Sequence, residues 1–188
     1  LSSDGFKVRA LERSKYGKEI IKSRKNVELI DEDLEDLNEE KKFDVITMFD
    51  VLEHIVEDTK VLQIINNNLK EDGHICLTVP AYNFLWSQDD DDSGHIRRYT
   101  AHELTTKLKN AGFEIIISKY FFVSIFPLLI LRSLMFRLKT RNISNKESDK
   151  VPLLLNMILL MLLRIENIIL RFVKVPFGGS IFIIGKRT

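Results

Sequence analysis

Short apolar runs alternate with amphipathic stretches along the first two thirds of the chain. The apolar runs, which we predict to be strands, cover residues 6–11, 27–30, 43–49, 74–79 and 113–120. Between them, apolar side chains recur at helical spacing, which predicts helices over residues 14–23, 58–69 and 100–111. Strands that alternate with helices in this way indicate βαβ units, and therefore an α/β fold with a parallel sheet covered by helices on both faces.

Three local signals refine this pattern. Residues 43–49 are nearly all apolar or β-branched, which predicts a strand buried on both faces. The segment 70–73 ends in Gly73 and is expected to end the second helix there. Thr100, followed three positions later by Glu103, is typical of a capping box at the start of the third helix.

The C-terminal third has a different pattern. Residues 121–136 are apolar except for Arg132 and two serines, and residues 151–163 form a second apolar run after a polar linker at 140–150. Neither run reaches the roughly 18 uninterrupted apolar residues of a membrane-spanning helix. Buried helices and helices lying in a membrane interface both remain open. The segment 180–184 is predicted to be a last strand that returns to the sheet edge.

Composition fits one domain with or without an appendage. The chain has 188 residues, of which 45% are hydrophobic and 29% charged, so it can bury a core and is not disordered by composition. Cys76 is the only cysteine. An intrachain disulfide and a zinc site built on several cysteines are therefore excluded, and a reducing compartment, the cytoplasm, is expected.

The net charge of +1 hides an asymmetry along the chain. Residues 119–188 contain 12 of the 28 Lys and Arg but only 3 of the 27 Asp and Glu, which leaves 16 and 24 for residues 1–118. A basic and very apolar segment therefore follows an acidic body. This distribution argues against a nucleic-acid-binding protein and favours a surface that faces anionic lipid.

Acidic residues follow the first two predicted strands, where ligands of parallel sheets bind. Glu12 ends the first strand, and a carboxylate there can accept hydrogen bonds from ribose hydroxyls. Asp33 follows the second strand and could accept from an adenine amino group. The alternatives are a solvated loop carboxylate at Glu12 and a solvated acidic run over residues 31–40.

Two acids and a histidine follow the most apolar strand, in the segment Asp50-Val51-Leu52-Glu53-His54. They could contact a ligand, or Glu53 and His54 could hold a divalent metal with Asp50 nearby. They could also be carboxylates that stabilise a helix N-terminus. Metal sites need more well-placed ligands than this spacing alone supplies, so we predict no metal from the sequence.

Residues 80–99 form the segment richest in chemically active side chains, and we predict a long loop there. Long loops in compact domains are usually functional. His95 is a plausible general base, and Arg97 and Arg98 could clamp a carboxylate or phosphate. The alternative is a solvated run of aspartates with one structural Arg–Asp pair.

Together these segments resemble the class I S-adenosylmethionine-dependent methyltransferases. Phe43-Asp44-Val45-Ile46 leading into Asp50–His54 is similar to the family's fourth-strand motif, and Leu69–Ile75 is similar to its LKPGG turn with Glu71-Asp72 in place of Pro-Gly. One branch of the family is matched by further motifs, namely Thr78–Tyr82, Leu85–Ser87, Asp90, Gly94-His95, Arg97–Tyr99, Ala111–Phe113 and Pro176–Ser180. The resemblance covers nearly the whole chain.

This resemblance implies a Rossmann-like doubly wound sheet and S-adenosylmethionine as cofactor. Glu12 would bind the cofactor ribose, and Asp33 with the backbone of Leu34 would contact the adenine. Phe49 and Asp50 would border the methionine end. The His95 loop would cover the substrate, with Trp86, Asp90 and Tyr99 as further substrate-binding residues.

The resemblance also predicts how the chain is divided. Residues 1–120 would be a partial methyltransferase core, residues 121–175 an apolar and basic helical insert, and residues 176–188 the final strand. The family's glycine-rich loop is missing, because no G-x-G occurs among the eight glycines. We therefore expect that the first strand, this loop and most of the first helix lie upstream of Leu1. The missing strand is central in the family's usual order, 3-2-1-4-5-7-6, so these 188 residues should bind the cofactor poorly, and the intact protein would be the enzyme.

The expected reaction is methyl transfer to an oxygen of a small, lipid-linked or otherwise hydrophobic acceptor. His95 would be the base for a hydroxyl acceptor, whereas Arg97 or Arg98 would orient a carboxylate. We expect residues 121–175 to dock on the cytoplasmic face of the membrane; a helical cover or a dimer interface is the alternative, and the oligomeric state is left open. A rival function is a non-catalytic binding or scaffold protein on a degenerate methyltransferase fold. A nucleotide-sugar or NAD-dependent enzyme would need a phosphate-binding glycine loop and a catalytic Tyr-x-x-x-Lys, and none of the four tyrosines is followed by Lys at that spacing.

Overall fold

The computed structural model describes residues 5–37, 42–138 and 152–188. The chain divides into two compact units, Leu1–Lys42 and Phe43–Thr188. The predicted polar linker at 140–150 lies outside the described residues, as do residues 38–40 of the acidic run. The predicted division into residues 1–120, 121–175 and 176–188 follows composition along the chain, and it stays a prediction.

The first unit is a single βαβ motif. Strand β1 (Val8–Leu11) pairs in parallel with strand β2 (Val27–Ile30), and helix α1 (Lys15–Ser23) connects them. Ser14 caps the helix, since its Oγ accepts a hydrogen bond from the amide of Gly17 at 3.0 Å. All three elements lie within one or two residues of the sequence-based bounds, because each is delimited by a local capping or turn signal.

The second unit is built on a four-stranded sheet in the order β3-β4-β6-β5. Its strands are β3 (Phe43–Phe49), β4 (Leu69–Pro80), β5 (Phe113–Phe121) and β6 (Ser180–Arg187). Strands β3 and β4 are parallel, whereas β6 runs antiparallel to both of its neighbours. This order reproduces the 4-5-7-6 half of the expected sheet, and the β1–β2 pair corresponds to its strands 2 and 3.

Helices of the second unit are α2 (Asp58–Asn68), α3 (Gln88–Ser93), α4 (Ala101–Asn110), α5 (Phe126–Leu138) and α6 (Leu153–Ile169). Helices α2 and α4 contact each other, and each contacts the sheet. Their apolar stripes and the central strands form the core, in which the fully buried side chains include Val61, Leu62, Leu104, Leu108, Ile75, Leu77, Ile181 and Ile183. Burial of these aliphatic side chains is the main stabilising contribution.

Three local predictions were wrong. Helix α2 ends at Asn68, within one residue of its predicted bound, but residues 70–73 do not form the predicted turn at Gly73, because β4 begins at Leu69, which pairs with Phe43, rather than at residue 74. The β3 strand is not buried on both faces, since it is an edge strand among the described residues and Val45 is 53% exposed. The segment 80–99 is not one long loop, because its aspartates form the short helix α3.

Local interactions at both ends of α3 explain why this segment forms a helix. At the N-terminal end, the backbone amide of Ser87 donates a hydrogen bond to Oδ2 of Asp90 at 2.8 Å. Gly94 ends the helix in the left-handed conformation, with φ of 73°.

Helices α5 and α6 coincide largely with the two predicted apolar runs, residues 121–136 and 151–163. None of the described helices combines the length and the apolar character that crossing a bilayer requires.

Candidate active site

Glu12 lies at the carboxyl end of β1 with its side chain against the first turn of α1. Its Oε1 accepts a hydrogen bond from the amide of Ser14 at 2.8 Å. Hydrogen bonds from Ser14 lower the pKa of Glu12, so the carboxylate is ionised at neutral pH. A β-carbon at Gly17 would lie 2.5 Å from Cγ of Glu12, so the glycine leaves the space that this carboxylate occupies.

Asp33 and Leu34 mark the start of a 3₁₀ turn (Leu34–Asp36) after β2. Oδ1 of Asp33 lies 3.4 Å from Nε of Arg13, and a terminal nitrogen of Arg13 also binds Glu35 at 2.5 Å. The acidic run is therefore partly neutralised by a cation within the same unit. An adenine amino group would share Asp33 with this arginine.

A tight turn follows β3 in the second unit. Asp50 adopts a left-handed backbone with φ of 50°, and its amide donates to the carbonyl of Thr78 at 3.1 Å. The hydroxyl of Thr78 in turn donates to Oδ1 of Asp50 at 3.2 Å. Phe49, the last residue of β3, remains 54% exposed. This turn thus presents an aromatic ring and a carboxylate side by side at the end of the strand.

Glu53 is a buried carboxyl without a hydrogen-bond partner in another described residue. It lies in the 3₁₀ turn Leu52–His54 and has no solvent exposure, yet neither carboxyl oxygen accepts a hydrogen bond from another residue in the described part of the chain. Burial raises its pKa to about 7. Buried polar groups are nearly always paired, so this exception indicates a functional or ligand-binding position.

Two histidines lie beside Glu53. Nδ1 of His54 is 3.2 Å from the carbonyl of Gly94, and Nδ1 of His95 is 2.8 Å from Oδ1 of Asp90. The two imidazole rings meet edge to face with centroids 4.8 Å apart. Nε2 of His95 lies 3.8 Å from Oε1 of Glu53. The turn after β3 and the end of α3 therefore bring together three side chains that are up to 42 residues apart in sequence.

Asp90 organises the segment that carries His95. The side chain of Asp90 has no solvent exposure, and its two oxygens bind Nε and a terminal nitrogen of Arg98 at 2.7 and 2.9 Å. Burial alone would raise the pKa of Asp90, but hydrogen bonds from Arg98 and His95 keep it lowered. Arg98 also donates to the carbonyl of Ala81 at 3.0 Å. The structural Arg–Asp pair considered from the sequence is thus present.

Arg97 and Tyr99 are held by a second buried carboxylate, Asp58. Its oxygens accept from a terminal nitrogen of Arg97 and from the hydroxyl of Tyr99 at 2.9 Å each, and from Nζ of Lys107 at 3.0 Å. Tyr99 is completely buried. Trp86 is half-buried and donates from Nε1 to Asp91 at 2.9 Å. Of the predicted substrate residues, Asp90 and Tyr99 therefore lie in the interior and only Trp86 has a partly open surface.

An open cavity of about 510 Å³ lies where α6 approaches the sheet. Its lining is largely apolar and includes Tyr120, Phe121, Phe122, Leu163, Leu170 and Phe182, together with Thr78, Glu166 and Arg171. Thr78 is also the residue that binds Asp50. The sequence did not predict this cavity, because it depends on how the insert packs and no local pattern records that packing.

The profile of the methyltransferase-domain family matches residues 1–118, which is more than half of the chain. The chain belongs to the methyltransferase-domain family. The prediction of a class I methyltransferase with a Rossmann-like fold is confirmed, and so is S-adenosylmethionine as the cofactor of the family. No curated protein matches this methyltransferase.

Solved structures agree with this fold over most of the chain. A chain in the complex of the Haloferax volcanii Trm112 methyltransferase activator with a methyltransferase has a TM-score of 0.59 at 13% identity, covering 95% of this chain and 71% of that one. A SAM-dependent methyltransferase from Thermotoga maritima gives 0.58 at 16% identity, covering 96% and 73%. The [4+2]-cyclase SpnF gives 0.60 at 16%, covering 99% and 68%. At such identities the likeness establishes the fold alone.

In each of the two units, considered separately, the described residues are chemically suited to binding S-adenosylmethionine. An ionised carboxylate accepts hydrogen bonds without donating, as a ribose diol requires, and the missing β-carbon of Gly17 gives Glu12 its room. In the second unit, Phe49 and Asp50 offer an apolar face and a carboxylate for the methionine end. When bound, the cofactor supplies an electrophilic methyl group on sulfur. The assignments to Glu12, Asp33, Leu34, Phe49 and Asp50 stay predictions.

Proposed function

We propose that this methyltransferase transfers the methyl group of S-adenosylmethionine to a hydroxyl oxygen of a small apolar acceptor. The supporting observation is the orientation of His95. Because Nδ1 donates its hydrogen to Asp90, Nε2 carries the free lone pair and faces the cluster with Glu53 and His54. A lone pair in this orientation can accept the proton of the acceptor hydroxyl directly. It can also coordinate a metal ion that lowers the pKa of that hydroxyl.

The pairing of Arg97 and Arg98 argues against the predicted orientation of a carboxylate acceptor by these two residues. The guanidinium of Arg98 binds Asp90 and that of Arg97 binds Asp58, so neither has its charge available for a carboxylate. In the proposed reaction, the bond from sulfur to the methyl carbon breaks while a carbon–oxygen bond forms. The products are S-adenosylhomocysteine, the methyl ether and a proton, and the enzyme mainly aligns the two reactants.

The apolar character of the acceptor is inferred from the cavity beside α6. Its aromatic and aliphatic lining suits a hydrocarbon chain or ring. Thr78 lines this cavity and binds Asp50 in the turn after β3. One residue of the cavity lining therefore contacts Asp50, which is proposed to border the methyl donor.

A radiolabelled methyl-transfer assay tests this proposal. Isoprenoid and long-chain alcohols would be compared with the matching carboxylic acids, using wild type, His95→Gln and the exposed control His102→Gln. We expect transfer to alcohols only, and a loss of about 10²- to 10⁴-fold in His95→Gln with no change in the control. Transfer to the acids that survives in His95→Gln would contradict the proposal, and cofactor binding without any transfer would support the binding-protein alternative.

We also propose that residues 1–188 alone bind the cofactor weakly, because no glycine-rich phosphate- or ribose-binding loop of the G-x-G type occurs among them. Calorimetric titration with S-adenosylhomocysteine would compare this chain with the same chain extended by the coding sequence preceding Leu1. Tighter binding by the extended chain is expected. Equal affinity of the two would show that these residues suffice, and the transfer assay would then use them directly.

A second part of the proposal is that α5 and α6 dock on an anionic membrane surface. Their exposed apolar side chains include Leu131, Leu134, Met135, Leu138, Leu153, Leu154, Met157, Met161 and Ile168. Large exposed apolar patches of this kind typically mark sites that bind a membrane or another protein. Arg137, Arg164 and Arg171 on or next to these helices add positive charge, which complements anionic headgroups, whereas Arg132 is paired with Asp89.

Co-sedimentation with vesicles distinguishes lipid from a second protein copy. We expect binding to vesicles that contain phosphatidylglycerol and weaker binding to phosphatidylcholine alone. Binding should also be reduced in 0.5 M salt, because the Debye length, beyond which charges are screened, is then only roughly a few ångströms. Replacing Arg164 and Arg171 by Gln should weaken the binding. Absence of vesicle binding, together with a dimer in sedimentation equilibrium, would assign this surface to self-association instead.

A further inference from the structure

Glu53, His54 and His95 form a compact ligand set in the second unit. One ligand atom from each, a carboxylate oxygen and two imidazole nitrogens, lies within 4.8 Å of the others. Two histidines and one carboxylate that converge in this way are a recurrent coordination set for divalent transition metals. Residues from the turn after β3 and from the end of α3 contribute to it, so the set exists only in the folded protein.

Both imidazoles are oriented as metal ligands are. Nδ1 of His95 is fixed by the buried carboxylate of Asp90, and Nδ1 of His54 is fixed by the carbonyl of Gly94. An imidazole that donates from Nδ1 presents the lone pair of Nε2, and metal-binding histidines are typically held by such a carboxylate or carbonyl. Asp90 is itself fixed by Arg98, which makes the orientation of His95 rigid.

Glu53 supplies an independent indication of a missing partner. Its carboxyl group is completely buried, and neither oxygen has a hydrogen-bond partner in another described residue. A buried carboxylate is costly unless it is paired or coordinates a metal. His54 is exposed to solvent and His95 is partly exposed, so an ion can reach the cluster from outside.

We propose that Glu53, His54 and His95 bind one divalent transition-metal ion, through a carboxylate oxygen of Glu53 and Nε2 of each histidine. Two imidazole ligands favour zinc, iron(II) or manganese(II) over magnesium and calcium, which prefer oxygen ligands only. Three protein ligands leave coordination positions for water or for an acceptor oxygen.

The binding of the ion does not depend on the proposed function, but its use in catalysis rests on it. A hydroxyl that coordinates a divalent ion loses its proton at a lower pH than it does in water. The ion, held in part by Nε2 of His95, would then activate the acceptor hydroxyl. Nε2 of His95 cannot bind the ion and accept this proton at the same time.

Metal binding is tested on the 188-residue protein after treatment with EDTA. Zinc(II) would be titrated by calorimetry and cobalt(II) by its visible absorption, with magnesium as the comparison. Variants Glu53→Gln and His54→Gln would be compared with the exposed control His102→Gln, and circular dichroism would verify that each variant is folded. We expect one zinc or cobalt per chain, an affinity loss of about tenfold or more in the two ligand variants and no loss in the control.

Unchanged affinity in folded Glu53→Gln and His54→Gln would overturn the inference, and so would equal losses in His102→Gln. If Glu53→Gln does not fold, His54→Gln decides alone, since His54 lies at the surface. Methyl transfer that persists in EDTA, combined with no metal binding, would refute the metal site but leave the proposed function intact. Metal binding by a form that also binds S-adenosylhomocysteine but transfers a methyl group to none of the alcohols would refute the proposed function and leave the metal site standing.

Discussion

Nδ1 of His95 lies 2.8 Å from Oδ1 of Asp90, whose side chain has no contact with solvent. The same carboxylate binds Arg98 and the amide of Ser87. One buried group therefore determines both the conformation of the segment after β4 and the orientation of the imidazole. Its removal should affect stability and chemistry together.

Replacing Asp90 by Asn should destabilise the second unit. The guanidinium of Arg98 would remain in a buried position without its counter-charge, and breaking such a pair typically costs about 3–5 kcal/mol of unfolding free energy. Urea denaturation followed by tryptophan fluorescence measures this, because Trp86 lies in the same segment. Asp92→Asn on the exposed side of α3 is the matched control, with an expected change of about 0.5 kcal/mol or less. Equal effects of the two substitutions would contradict the structural role of Asp90.

Asp58 should make the stability of the second unit depend on pH in the acidic range. Burial alone would raise its pKa, but hydrogen bonds from Lys107 and Tyr99 and the charge of Arg97 leave it below the ordinary 3.8. A lowered pKa in the folded state stabilises the fold fully above 3.8, and this stabilisation is lost as the pH falls below that value towards the folded-state pKa.

Thermal unfolding between pH 6 and pH 2 tests the contribution of Asp58. The wild type should lose stability below about pH 4, while Asp58→Asn should start from a lower stability at pH 6 and lose less on acidification. A parallel loss in both proteins would assign the acid sensitivity to other carboxylates.

Gly17 should matter more for the cofactor than for the fold. Alanine in a helix is more stable than glycine by up to about 1 kcal/mol, but the new β-carbon would lie 2.8 Å from the Ser14 hydroxyl that caps α1, so these two effects on the stability of the first unit oppose each other. Its β-carbon would displace the side chain of Glu12, which it would approach to 2.5 Å. We expect the affinity for S-adenosylhomocysteine, measured by calorimetry on the form that binds it, to fall by about as much as in Glu12→Ala. Lys22→Ala on the exposed side of α1 should leave the affinity unchanged.

Glu166 should anchor α6 to the rest of the second unit. It accepts hydrogen bonds from the amides of Val123 and Ser124 at 3.0 and 2.7 Å, and from the hydroxyl of Ser124 at 2.5 Å. Glu166→Gln should accelerate amide hydrogen exchange in α6 by about tenfold or more, since hydrogen bonds to a charged group contribute about 1.5–3 kcal/mol each. Arg164→Gln, two residues away in the same helix and exposed, should exchange as the wild type does. Unchanged exchange in Glu166→Gln would mean that other contacts hold the helix.

Most of the fold could be predicted from the sequence, because strand and helix patterns are local. The bounds of β2 and β3 and the capping of α4 by Thr100 were predicted correctly. The early start of β4 could not be predicted, since it depends on the pairing of Leu69 with Phe43 in the neighbouring strand. Pairing between distant segments overrides the local signal of Gly73.

The candidate site was predicted less completely. His95, Glu53 and His54 were singled out, but their convergence depends on α3, which an aspartate run did not suggest. Arg97 and Arg98 resemble an anion clamp in the sequence, whereas the structure pairs them with Asp58 and Asp90. Tertiary contacts determine which group a charged side chain pairs with. A sequence pattern therefore shows which charged groups are present but not which of them bind one another and which remain for a ligand.

The attachment of α6 has a calorimetric consequence. Glu166, 8% exposed, is the only buried one among the described residues of α6, and the apolar side chains of this helix are exposed or half-buried, so release of α6 from the sheet would expose charge and hydrogen-bonding groups but little additional apolar area. The heat capacity change of that release should be small or negative, in contrast to the large positive change for unfolding of the core. Cooling should therefore not loosen α6 in the way that it weakens apolar packing, and the helix should remain seated at low temperature.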